Sequence, residues 1–519
     1  VDTTELTSKL DRISLPQNVS SSLRRRINAL DKDTKDAERL KRALGLPWCT
    51  APAERVSLTN LRSSLNSKLF VPENISDLLI DHLVVRDLQI EAGPMAMGQR
   101  RLLCITGPPG VGKSRISHHI AETLHLPIKN ISLDHLTSAE EFYGSNEKPG
   151  ALMEAIEHLD QAEVVLVLEG IDSFCSRMHS PPLAMINALT NITSLNQFTD
   201  PFFDVPFDVS RVLFIATANW MPDIPASMHD SLDVVELDGY IDDDKITIAK
   251  EALLPEILGE YKLASDEVQI DHNALGTLVR SYTSEPGVRA LGEIVRRIVR
   301  RALSNRALRG STESLSIGID DLAATIGRPA QLGLRTQRRD LPGLAAGAVV
   351  RRTGGILGQI EAVQMPGNGR IRILDTEGVD LTSQYAVVPS FVRSRLSELG
   401  VSARSLEEFD TDLLLPASEL PGDEDSLAIA SAITIVSLMR DKPVDTEIVA
   451  IGGMTVHGRV RRADGVRPKI LAAHRAGIRR VLLPRQNEHD LASIPSRLHD
   501  SITFIPIDNA GQAINIALR

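Results

Sequence analysis

At 519 residues the chain is too long for one hydrophobic core and divides, at about 150 residues per domain, into three or four. Its 42% hydrophobic and 24% charged residues exclude a chain that is disordered throughout, and a net charge of -11 argues against general affinity for nucleic acid backbone or anionic lipid. Cys49, Cys104 and Cys175 lie far apart with no CxxC pair, which argues against a disulfide framework or a zinc site, and no apolar run approaches the roughly 20 residues of a membrane span. A soluble intracellular protein is therefore expected, with neither membrane nor nucleic acid among its partners.

In chain order, LTSKLDRI, VSSSLRRRINAL and AERLKRALGLPW carry apolar positions at helical spacing within charged sequence and predict three helices that pack on the domain next in the chain. Short apolar runs, RLLCITG, AEVVLVLEG and RVLFIATAN, then alternate with helical patterns, as a parallel sheet covered on both faces requires. Helix returns in KITIAKEALLPEILGEY and GVRALGEIVRRIVRRALSNRAL, where Arg296, Arg297, Arg300 and Arg301 read as a solvated face, and TIGRPAQLGLRTQRRDLPG reads as a linker. Beyond it, strands and glycine turns (GAVVRR, GQIEAVQMPGNGRIRIL) lead to an apolar helix after Ser426 and alternating elements to the end.

Gly107, Gly112, Lys113 and Ser114 fit GxxxxGK[ST] between a strand and a helix, with Pro108, Pro109, Gly110 and Val111 completing the loop. Glycines let backbone N–H groups face phosphate oxygens, the helix N-terminus adds its positive dipole end, Lys113 reaches the β and γ phosphates, and Ser114 holds Mg²⁺. ATP or ADP with Mg²⁺ is the expected ligand.

The helical lead-in, GPPGVGKS, DVPFDVSRVLFIATAN, YTSEPGVRAL and ILAAHRAGIRRVLLPRQN together resemble the Lon-type AAA+ serine proteases over essentially the whole chain. The resemblance implies an α/β multidomain protein: a helical lead-in at 1–68, an AAA+ α/β nucleotide-binding domain at 69–245, its helical lid at 246–335, and an α+β Lon-type protease domain at 343–519. It also implies a divergent member without the family's amino-terminal substrate-binding domain. Such proteins form a hexameric ring that threads unfolded protein into a chamber of Ser/Lys dyads. A ring of this chain alone, or one mixed with a Lon-like paralogue, is expected in a bacterial cytoplasm or a mitochondrial or peroxisomal matrix. Asn219 matches the sensor-1 asparagine and Arg289 the sensor-2 arginine.

Set against the family, the hydrolytic half of the nucleotide site departs. Where Lon-like chains read DEID, this one reads Glu169-Gly170-Ile171-Asp172. Glu169 is expected to hold the metal through its water shell, whereas Gly170 has no side chain to take a proton, a loss that typically costs about 10²–10⁴ in rate. The family's trans-acting arginine in LLDRME falls on Ser231, and such a finger is worth roughly 10³–10⁵ in phosphoryl transfer. The pore loop is shortened, leaving Phe142-Tyr143 as a substitute grip or as a plain turn. Slow or absent ATP hydrolysis is the expected result.

Ser426 falls where the family nucleophile falls and Lys469, 43 residues on, where its dyad lysine falls. A buried lysine that is neutral near pH 7 can take the seryl proton, and Val466, Ile470 and Leu471 supply apolar surroundings. Against this, Glu424 and Asp425 replace a glycine and a proline before the serine, which adds carboxylates that oppose a neutral lysine and an oxyanion. Ile451 replaces a lysine-orienting threonine and dries the site. Glu361 matches a family position near the dyad. Two functions compete: a Lon-like endopeptidase of unfolded or damaged protein, and a nucleotide-binding pseudoenzyme that scaffolds or regulates an active partner.

Overall fold

The computed structural model describes residues 3–30, 34–48, 58–69, 71–92, 101–177, 197–264, 266–309, 314–329, 341–375, 380–383, 385–402, 404–416, 426–494 and 496–519. Contacts divide the chain into two units, one of residues 1–107 and 112–237, the other of 108–111 and 238–519. Among the described residues no helix is long and apolar enough to cross a membrane.

The first unit begins with α1 (Thr3–Arg12), α2 (Gln17–Asn28) and α3 (Thr34–Ala43), the three helices the sequence predicts. Leu6 and Leu10, then Val19, Leu23 and Ile27, recur every four residues and bury one stripe of each helix in the same core as the α/β sheet. Two further helices, α4 (Leu58–Lys68) and α5 (Glu73–Ala92), lie outside that expectation. Leu78, Val85 and Leu88 on α5 are exposed while Leu79 and Leu83 are buried, so apolar residues on both faces blur the 3.6-residue period.

The sheet of this unit holds β1 (Leu102–Thr106), β2 (Ile128–Ser132), β3 (Val165–Glu169), β6 (Leu213–Ala218) and β7 (Leu232–Glu236) in the order β2-β3-β6-β1-β7. Every ladder is parallel. The small hairpin of β4 (Phe198–Thr199) and β5 (Pro206–Phe207) intervenes in the chain. Helices α6 (Lys113–Thr123), α7 (Ala139–Tyr143), α8 (Ala151–Leu159) and α9 (Ile171–Arg177) form connections. Parallel strands place the C-terminal ends of β1, β2, β3 and β6 at one edge, where ligands of open α/β sheets bind.

The second unit contains a helical part, α10 (Asp242–Ile248), α11 (Leu254–Glu260), α12 (His272–Thr277), α13 (Arg289–Arg309) and α14 (Ile319–Ile326), with its own core around Leu278, Leu291, Val295 and Ile298. A short parallel pair, β8 (Val268–Ile270) and β9 (Leu315–Ile317), joins it. The remainder is α+β: β10 (Leu344–Arg351), β11 (Gly354–Pro366), β12 (Ile371–Asp375) and β13 (Phe409–Leu415) in the order β10-β11-β13-β12. A second, parallel sheet holds β14 (Ile448–Ala450), β17 (Arg480–Pro484) and β18 (Thr503–Ile507), beside the pair β15 (Gly453–Met454) and β16 (Val460–Arg461). Helices α15 (Val387–Ser394), α16 (Ala428–Met439), α17 (Val466–Arg475) and α18 (Ala510–Ala517) complete it. The apolar sequence of α16 is buried along almost its whole length, so it is the central helix of that core.

Candidate active sites

In the first unit, β1 ends at Thr106 and α6 begins at Lys113. The Lys113 ammonium donates to the Gly107 carbonyl at 2.6 Å and to Asn219 Oδ1 at 2.9 Å, so the loop lysine and the residue at the end of β6 meet. Burial pushes the Lys113 ammonium down to about 8, against a smaller upward pull from Asp172. Asp172, itself buried, accepts the backbone N–H of Asn219 at 3.0 Å and of Trp220 at 2.9 Å, and so fixes the turn that presents Asn219. Ser114 Oγ donates to Glu169 Oε1 at 3.2 Å, and Asn130 Nδ2 donates to the same oxygen at 3.0 Å.

These residues fit a nucleotide with its metal. Gly110 and Gly112 hold φ values of +82° and +97°, the region in which a glycine loop cups an anion. A hydroxyl and a carboxylate side by side are oxygen donors of the kind Mg²⁺ takes when phosphates and water complete its shell. Among the described residues there is no group of three or more His, Cys, Asp or Glu side chains placed to hold a metal without such help.

Pro108, Pro109, Gly110 and Val111, the tip of the loop, make their contacts in the second unit. There the Val288 N–H donates to the Gly110 carbonyl at 3.0 Å, and Tyr240 Oη donates to the Val111 carbonyl at 2.7 Å. Arg289 comes directly after, exposed, as the first residue of α13.

Gly170 has φ +80°, and a Cβ built there would lie 2.9 Å from Asp134 Oδ1. A side chain at this position would therefore meet both backbone strain and a carboxylate. Ser231 is buried and enters β7, where its carbonyl accepts the Leu102 N–H at 2.9 Å. Phe142 is fully buried, edge-on to Tyr143 with centroids 5.4 Å apart, and Tyr143 stacks on Phe198. The Phe142-Tyr143 pair is thus a core anchor, which overturns its reading as a substitute grip on substrate.

In the second unit, Ser426 lies in the turn before α16 and is buried, with its hydroxyl making no hydrogen bond among the described residues. Its carbonyl accepts the Gly452 N–H at 2.8 Å, and the Gly452 carbonyl accepts the Ile429 N–H at 3.2 Å, stapling the turn to the segment after β14. Lys469, on α17, is fully buried, and its ammonium donates to the Asp464 carbonyl at 2.8 Å. Ile451 shares a cluster with Val466 and Ile470, which flank Lys469 on its helix, so the Ile451–Gly452 step touches the surroundings of both residues. Glu361 stands exposed on β11, paired across the sheet with Leu344 and Leu414. Glu424 and Asp425 lie outside the described residues.

Comparison with known proteins separates the parts in the same order. The description of the Lon protease (S16) C-terminal proteolytic domain matches residues 316–519, that of the Lon protease AAA+ ATPase lid domain matches 259–314, and that of the AAA ATPase family associated with various cellular activities matches 103–238. The Lon protease of Phenylobacterium zucineum is 31% identical over 526 residues, 99% of this chain and 66% of the relative. The chain belongs to the Lon protease family. The Lon protease of Dictyoglomus thermophilum is 30% identical over 527 residues, again 99% of this chain and 66% of the relative, and Lon protease 1 of Herpetosiphon aurantiacus is 32% identical over 487 residues, 92% and 60%. The chain thus spans just under two thirds of the length of the Lon relatives it matches. Its α/β AAA+ part, helical lid and α+β Lon-type proteolytic domain succeed one another as the fold class predicts.

Two features of this Lon chain lie beyond sequence reasoning. Asp134 emerges over Gly170 only because the turn after β2 folds back toward the start of α9. Gly355 is placed so that a Cβ would overlap the Pro468 carbonyl, which lets α17 lie directly on the β10–β11 hairpin. The only sequence signal for the second was an otherwise unexplained glycine pair.

Proposed function

We propose that this chain is a Lon-type serine endopeptidase that degrades unfolded or damaged protein in a hexameric ring, binds ATP or ADP with Mg²⁺, and hydrolyses ATP slowly. The observation that carries the peptidase reading is Ser426, whose buried hydroxyl has no hydrogen-bond partner among the described residues at the entrance to a buried helix, with a fully buried Lys469 on α17, which packs on the same strands β10 and β11. Ser426 Oγ attacks the scissile carbonyl while Lys469 Nζ takes its proton. The backbone N–H groups at the start of α16 stabilise the oxyanion. The proton passes to the leaving amine, and water then releases the acyl group by the reverse roles.

In the nucleotide site, Lys113 and the loop amides bind the phosphates, Ser114 and Glu169 hold Mg²⁺, and Asn219 and Arg289 sense the γ-phosphate. The metal, when bound, supplies charge neutralisation for phosphoryl transfer. Slow hydrolysis is favoured by the bare Gly170 and by Ser231, which is buried where a finger would have to reach out.

Casein degradation with and without Mg-ATP, with Ser426→Ala as the blank, tests this. Cleavage abolished in the variant is expected. Its absence from an assembled wild-type ring would instead favour the second reading, a nucleotide-binding scaffold or regulator of an active Lon-like partner, for which the same Gly170 and Ser231 speak.

A further inference from the structure

The carboxylate absent at position 170 has a counterpart in the adjoining strand connection. β2 and β3 run parallel with Ser132 opposite Glu169, so Asp134 and Gly170 leave the same edge of the sheet two residues and one residue beyond that pair, respectively. A Cβ built on Gly170 lies 2.9 Å and 3.0 Å from the two Asp134 carboxylate oxygens and 3.1 Å from the carboxyl carbon. That separation is comparable to the reach of a glutamate carboxylate from its own Cβ. The Asp134 carboxylate therefore stands over Gly170, about as far out as the missing side chain would carry its own.

The placement is built rather than incidental. Arg177, on the helix that starts immediately after Gly170, donates to the carbonyls of Asp134 at 2.5 Å and Leu133 at 3.1 Å, and lies 3.6 Å from Asp134 Oδ1. Gly170 is anchored in turn through its N–H to the Thr217 carbonyl at 3.1 Å, two residues before Asn219. Asp134 remains about half exposed, so it is open to water. The two positions are also mutually dependent. With φ +80° and the carboxylate in the way, residue 170 has to be glycine for Asp134 to hold this place.

We infer that Asp134 is the catalytic base for the ATP hydrolysis this chain retains. The inference rests on the nucleotide-binding reading above. The Asp134 carboxylate takes a proton from a water molecule as that water's oxygen bonds to the γ-phosphorus. The bond from the γ-phosphorus to the bridging oxygen breaks, and ADP and inorganic phosphate leave.

The test uses the full chain with Mg²⁺ and compares wild type with Asp134→Asn and with the control Glu140→Gln, an exposed acid on the same connection. Three readouts are needed: affinity for a fluorescent ADP analogue, trapping of ADP with aluminium fluoride as a mimic of the transferring phosphoryl group, and steady-state phosphate release. For Asp134→Asn, phosphate release is expected to fall about 10²-fold and trapping to be lost, with ADP affinity unchanged, which also shows that the variant is folded. Glu140→Gln should match wild type in all three. If Asp134→Asn traps ADP and releases phosphate as wild type does, or if wild type itself binds ADP but neither traps nor turns over, the inference is overturned while nucleotide binding stands. Failure of wild type to bind ADP would remove the nucleotide reading itself and the inference with it.

Discussion

With Lys113 in its proposed phosphate-binding role, an ammonium that burial holds at about 8 makes nucleotide affinity depend on pH within an accessible range. Below pH 8 the empty site already carries the ammonium that the phosphates need. Above it, each binding event must also take up a proton, so affinity falls as pH rises, by up to about tenfold per unit until the raised pKa of the complex is reached. Titrating the fluorescent ADP analogue between pH 7 and 9.5 checks this, with Lys113→Met expected to be weak and flat. Gly170 supports a second expectation. Gly170→Ala should cost about 1–2 kcal/mol in denaturant unfolding from its left-handed backbone, and Gly170→Glu should fail to speed ATP hydrolysis because Asp134 occupies the space. The bare position is legible in EGID. Its backbone angle and the carboxylate facing it are not, because both depend on a turn that is distant in sequence.

Between elements, the proposed pairing of Ser426 with Lys469 depends on how two helices meet one hairpin. Both α16, which comes after Ser426, and α17, which carries Lys469, pack against β10 and β11. At Gly355 the contact is so close that a methyl group would overlap the Pro468 carbonyl, one residue before Lys469. Gly355→Ala should therefore lift α17, destabilising the fold by about 1–3 kcal/mol. Casein cleavage should drop on the order of 10²-fold, as expected for a small displacement of a catalytic group. ADP binding, measured in parallel, should persist, which shows that the variant is folded around its P-loop. The strands, the P-loop and the family were legible because alternation, loop chemistry and motif spacing are local or family-wide signals. Helix α5 was not, since Leu78, Val85 and Leu88 face outward and break the pattern, and the tolerance at Gly355 belongs to a contact over 100 residues away in sequence.

At the scale of the whole molecule, the P-loop tip and the helix that carries Lys469 both belong to the second unit. The segment 284–289 is held at one end by the P-loop tip, through Val288 N–H on the Gly110 carbonyl, and Tyr240 ties the Val111 and Pro286 carbonyls together. At its other end Lys245 donates to the Glu285 carbonyl, and Arg475 donates to the Ser284 carbonyl at 3.0 Å and the Gly355 carbonyl at 2.6 Å. Arg475 is the last residue of α17, the helix that carries Lys469. Lys245 is buried and Arg475 half-buried; burial pushes Lys245 down to about 8, with Arg475 adding repulsion, and lowers Arg475 itself. If nucleotide exchange moves the loop tip, this one short segment is a hydrogen-bonded route from it to the lysine helix. Removing Arg475 strands the Gly355 carbonyl, at about 1–3 kcal/mol where it stays buried, and cuts the link. Arg475→Met should then lose most of any difference in the rate at which a fluorophosphonate labels Ser426 between empty and ADP-loaded protein, a difference expected at about fivefold or more for a typical coupling of 1–3 kcal/mol. Labelling in the empty state should persist. A variant that keeps the full nucleotide response would place the coupling outside this segment.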